Sequence, residues 1–99
     1  MKLSEDQIAG KLEASAGWQL EDGKWIVKKY RFREFLDAIA FVNRVADEAE
    51  RLNHHPFISI DYKLVTLRMT SWHAGGLTEL DFEASAAFDR AFGSEQEEA

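Results

Sequence analysis

The sequence predicts an α+β fold: a four-stranded antiparallel sheet with helices packed on one face, in the order αββαββα. Three observations carry this. Two pairs of segments alternate apolar and polar residues about a short turn, and segments with helical spacing stand before, between and after them. The length of 99 residues suffices for one core and not for two, so residues 1–99 read as a single domain. Hairpin-joined strands form antiparallel ladders, and the helices between them cover one face and leave the other to water or a partner.

Taken in order, Ser4 with Gln7 is a capping-box pair, and Ile8 and Leu12 lie one turn apart, so the first helix starts at Ser4 and is expected to end at Gly17. Residues 18–21 and 24–32 flank Asp22-Gly23, a dipeptide suited to the positive φ angles of a tight hairpin turn. From about Arg33 to Leu52, Phe35, Ile39, Val42, Ala46 and Ala49 recur at helical spacing, and Phe41, Val45 and Leu52 widen the stripe. Pro56 cannot continue a helix and biases His55 to extended geometry, which ends that helix near Asn53-His54-His55. Ile58, Ile60 and Tyr62 then alternate with Ser59 and Asp61, and Val65, Leu67 and Met69 with Thr66, Arg68 and Thr70, giving the second hairpin. Gly75-Gly76 reads as a plain turn, since no phosphate-loop spacing accompanies it. Thr78 with Asp81 starts the last helix, whose apolar side is Leu80, Ala84, Ala87, Phe88 and Ala91, and the acidic residues 93–99 are expected to fray.

Composition narrows the function. With 45% hydrophobic residues, three Trp and seven Phe, the chain is that of a folded protein. A net charge of −6 argues against nucleic-acid binding, which depends on Lys and Arg displacing counterions, and Lys28, Lys29, Arg31 and Arg33 read as a solvated strand face. The absence of cysteine excludes disulfides, thiolate metal sites and a cysteine nucleophile. The first residues turn acidic, and no run approaches the length of a membrane span, so a cytoplasmic protein is expected. A small core and two free sheet edges lead us to expect a homo-oligomer, with edge pairing in a symmetric dimer as one form.

His54 and His55 are the natural candidates for proton transfer, because imidazole titrates near neutrality. Glu50, four residues before His54, is placed to hold its orientation if the helix persists. A three-histidine zinc site from His54, His55 and His73 fails, since adjacent residues in regular structure do not converge on one ion. The run Glu50-Arg51-Leu52-Asn53-His54-His55-Pro56, then Tyr62, Trp72-His73-Ala74-Gly75-Gly76-Leu77-Thr78 and Asp81, resembles the signature of the pterin-4a-carbinolamine dehydratases, also known as dimerisation cofactors of a homeodomain transcription factor. The resemblance covers nearly the whole chain and is closest from Phe41 to Asp81.

The resemblance implies dehydration of 4a-hydroxytetrahydrobiopterin, or a related 4a-hydroxytetrahydropterin, in tetrahydrobiopterin recycling for an aromatic amino-acid hydroxylase. It makes His54, His55 and Glu50 catalytic and places Trp72, Asp81, Asn53 and Pro56 on the substrate. Pterin is then the substrate, with no metal and no cofactor, and a homodimer or homotetramer is the expected assembly. The alternative is a protein-binding or coactivator module on the same fold. Trp72 stands where the animal enzymes have a histidine, and indole can stack but not shuttle a proton. Strand parity assigns His73 to the apolar face with Val65, Leu67 and Met69, and Trp72 to the other. Asp81 is explained equally by a cap or by the site, one carboxylate not easily serving both, and Tyr62 reads as a core or interface aromatic. On this reading His54→Ala abolishes activity with the fold intact, and Trp72→His is tolerated.

Overall fold

The computed structural model describes residues 1–98, with side chains described as far as Gly93. Its elements are α1 (Glu5–Glu13), β1 (Gln19–Glu21), β2 (Trp25–Arg31), α2 (Phe35–Leu52), β3 (Phe57–Asp61), β4 (Leu64–Met69) and α3 (Glu79–Glu98), the αββαββα order read from the sequence. The four strands form one antiparallel sheet in the order β1-β2-β4-β3. Both hairpins turn through left-handed residues: Asp22 (φ 54°) and Gly23 (φ 72°) in the first, Tyr62 (φ 56°) in the second. Tyr62 therefore leaves the strand and is 69% exposed, not a core aromatic. The Ser4–Gln7 capping box is present, but α1 ends at Glu13 and Gly17 lies in the turn beyond. At the other end α3 continues through Glu98, over most of the stretch expected to fray, and Ala99 lies outside the described residues.

One sheet face meets the helices. Ile26 and Tyr30 of β2 and Val65, Leu67 and Met69 of β4 pack with Ala38, Phe41, Val45 and Ala49 of α2 and Ala84 and Phe88 of α3 into a single core. The buried stripe of α2 is thus rotated from the one expected, and Phe35 and Ala46 are exposed. The rotation arises because α2 faces both β4 and α3. Ile58 and Ile60 share the covered face, opposite Leu67 and Val65, yet each is 39% exposed because β3 is an edge strand. Among the described residues the opposite face has no helix over it, and it carries Trp25, Val27, Phe57 and Arg68, the last paired across strands with both Val27 and Phe57. Among the described residues, no helix is long and apolar enough to cross a membrane.

Candidate functional site

The end of α2 decides how the two adjacent histidines diverge. Asn53 closes the helix in the left-handed conformation (φ 52°), its N–H donating to the Glu50 carbonyl at 3.2 Å and that of His54 to the Ala49 carbonyl at 3.0 Å. Asparagine tolerates this geometry, so Asn53 has a structural reason to be there. The reversal sends His54 inward and His55 outward. His54 Nε2 lies 2.5 Å from Asp81 Oδ1, with side chains 10% and 0% exposed. His55 Nε2 lies 2.5 Å from Glu50 Oε2, with side chains 55% and 78% exposed.

Glu50 therefore partners His55 and not His54. The expected pairing assumed helical geometry through His54, which the turn at Asn53 interrupts. Removing the His54 imidazole would also strip a buried carboxylate of a partner, so His54→Ala perturbs the fold as well as the chemistry.

Asp81 serves as cap and as histidine partner together. Its Oδ2 accepts from the Thr78 N–H at 2.9 Å, closing the first turn of α3, and from the Ser71 hydroxyl at 2.8 Å, while Oδ1 is left to His54. Two carboxylate oxygens permit both roles, which the sequence reading had treated as exclusive. The Ser71 and Thr78 hydroxyls are themselves 2.9 Å apart, both buried. Nothing in the sequence singled out Ser71. It reaches Asp81 because the chain after β4 makes a short 3-10 turn over Trp72–Ala74, and a bridge from Ser71 to Gly76 draws the start of α3 back against it. Parity does not run through such a turn, so His73 is exposed and not on the apolar face.

Trp72 does lie on the uncovered side. Its ring meets Trp25 edge-on at 5.2 Å and Phe57 at 6.1 Å, and Trp25 and Phe57 are 5.1 Å apart. Phe57 follows His55-Pro56 directly, so Pro56 links the exposed histidine to this aromatic group.

A second carboxylate, half-buried, sits away from these residues. Asp89 of α3 accepts from the Tyr30 hydroxyl at 2.6 Å, Lys28 Nζ at 2.8 Å and Trp18 Nε1 at 3.1 Å. Burial, reinforced by the bond to Asp89, pushes the Tyr30 phenol well above its usual range. Lys28, which also donates to the Ala16 carbonyl at 3.0 Å, thus belongs to the covered face with Ile26 and Tyr30 and not to a solvated cluster. This cluster fastens α3 to β2.

With Nε2 of each histidine committed to a carboxylate, Nδ1 is the nitrogen each ring has left for a ligand. Two imidazoles so held, one buried and one open to solvent, can accept a proton at one ring and deliver one from the other. Fold and site together define the class: a small α+β protein with an acid–base constellation where a helix end meets the sheet. The chain belongs to the pterin 4 alpha carbinolamine dehydratase family, whose pattern matches residues 1–91. It is 47% identical over 92 residues to a Chloroflexus aurantiacus protein named "Putative pterin-4-alpha-carbinolamine dehydratase", covering 93% of this chain and 98% of that one. A Picosynechococcus protein of the same name is 38% identical over 89 residues, 90% of this chain and 96% of its own. Among solved structures, a transcriptional coactivator/pterin dehydratase from Brucella melitensis superposes with a TM-score of 0.88 at 30% identity, covering 92% of this chain and 98% of that one. A pterin dehydratase-like RuBisCO assembly factor of the alpha-carboxysome shares the fold, with a TM-score of 0.65 at 19% identity over 76% of this chain and 88% of that one.

Proposed function

We propose that the protein converts a 4a-hydroxytetrahydropterin, 4a-hydroxytetrahydrobiopterin or a close relative, to the quinonoid dihydropterin and water by histidine acid–base catalysis. The observation that carries this is the pair of imidazoles, each held by its own carboxylate at opposite burial. The C4a–OH bond breaks as a proton reaches the departing hydroxyl, and the N5–H proton leaves as the C4a–N5 double bond forms. His55, exposed and able to exchange protons with solvent, gives the first proton. His54 takes the second, since the positive charge it gains lies against the buried Asp81 carboxylate, where an unpaired cation would be costly. The nitrogen lone pair drives the hydroxide out, so no metal ion or organic cofactor enters the scheme.

The setting is the cytoplasm, in recycling tetrahydrobiopterin for an aromatic amino-acid hydroxylase. The assembly is a homodimer or homotetramer: every residue of β3, one of the two edge strands, is exposed, and a second copy is the partner that edge suits. A protein-binding role, such as the coactivator role in the description of the Brucella relative, has no observation of comparable specificity behind it here. The test is steady-state turnover of 4a-hydroxytetrahydropterin generated in place by a hydroxylase. Wild type is expected to accelerate loss of the hydroxylated pterin, and His55→Ala to remove most of that acceleration. A wild-type protein without effect defeats the proposal.

A further inference from the structure

The uncovered sheet face holds aromatic surface that the proton-transfer groups do not use. Trp25 of β2, Phe57 at the start of β3 and Trp72 beyond β4 come from three separate segments and meet ring to ring. None of the three belongs to the core, and Phe57 and Trp72 remain 51% and 69% exposed despite these contacts. The corner is braced from the sheet. The Arg68 guanidinium lies 5.0 Å from the Trp25 ring centroid, and Glu21 holds it there by an ion pair. Arg68 Nε is buried without a hydrogen-bond partner, which fits a guanidinium used for stacking. The corner is also tied to the site at two points: Phe57 lies two residues past His55, and Trp72 follows Ser71, which donates to Asp81.

We infer that Trp25 and Phe57 join Trp72 in a stacking corner that takes the flat face of the pterin, and that both are substrate-binding residues of the reaction proposed above. The inference rests on that reading for its ligand. Ring faces and edges favour a flat heterocycle over an alkyl chain of equal area, because offset and edge-on contacts add to simple burial. The N1–C2–N3–C4 edge of the pterin stays flat before and after water leaves. Stacking on it therefore holds substrate and product alike, and its loss raises KM while kcat stays in place.

The experiment compares wild type with Phe57→Leu, Trp25→Leu and the double variant in two assays: dehydration kinetics, and calorimetric binding of 7,8-dihydrobiopterin. Each lost ring is expected to raise KM and the dihydropterin Kd together by about tenfold, the range of aromatic–base stacking, with kcat within about twofold. Phe57→Tyr, which restores a ring, returns KM toward the wild-type value. Phe57 is half exposed on a face without a helix, so Phe57→Leu folds and keeps the test decisive. An active wild type whose KM and Kd do not move in the double variant overturns the stacking corner and leaves the dehydratase standing, as does a fall in kcat alone. A wild type that neither turns over nor binds the dihydropterin overturns both.

Discussion

Replacing Asp81 by Asn changes little in shape and much in proton placement. The carboxylate accepts from Thr78 N–H and Ser71 O–H on one oxygen and from His54 Nε2 on the other. The amide keeps one oxygen, enough for the first two donors, and sets an NH2 group against Nε2. Two donors cannot face each other at 2.5 Å, so His54 must move its proton to Nδ1, the atom assigned to receive the proton from N5. The two retained bonds lose their charge assistance, about 1 kcal/mol each, so stability falls by about 2 kcal/mol. Asp81→Ala removes all three bonds in a buried site and costs roughly 5 kcal/mol, comparable with the whole stability of a small domain. For the Asn variant, kcat should fall by about 10²–10⁴, the usual contribution of a general base. Denaturant unfolding reads the first number, turnover the second, and 15N NMR of the imidazole the tautomer. A switched tautomer with kcat within threefold of wild type would refute His54 as the base, and an unswitched tautomer would refute the hydrogen-bond argument itself.

Three further outcomes are expected. His55→Ala lowers kcat by about a hundredfold while the unfolding midpoint barely moves, because both His55 and Glu50 are largely exposed; a large loss of stability would contradict this. Trp72→His keeps kcat within about threefold in the same kinetic assay, because imidazole also presents a ring face and a hydrogen-bond donor. Tyr30, held protonated in the folded chain, ionises in the unfolded chain near pH 10. The folded state then binds more protons, so stability falls above about pH 10 by up to about 1.4 kcal/mol per unit; urea midpoints at pH 9, 10 and 11 measure this, and Tyr30→Phe should flatten the decline.

Local signals made the fold legible. The capping pair at Ser4, the Asp22-Gly23 turn, the break at Pro56 and the alternation in β4 each act over a few residues, and the structure keeps all four. What failed depended on direction at a boundary. The partner of Glu50 turns on one left-handed residue, Asn53, and the burial of His73 on strand parity continuing past Met69 into a 3-10 turn. Ser71 was illegible because its role comes from α3 folding back on β4, a contact no spacing encodes. Lys28 was misread as part of a solvated face although the signal was there: it alternates with Ile26 and Tyr30, and parity puts it on the covered face, where Asp89 takes its charge. Trp25 next to Ile26 follows the same logic in reverse, an aromatic residue forced outward by a buried neighbour.

Single-turnover stopped-flow absorbance of a preformed 4a-hydroxytetrahydropterin, mixed with wild-type protein and with His55→Ala, tests the central claim most directly. Formation of the quinonoid dihydropterin should be fast with wild type and fall back toward the spontaneous rate with the variant. Equal rates with wild type, variant and buffer would mean that these two carboxylate-held histidines do not dehydrate the pterin.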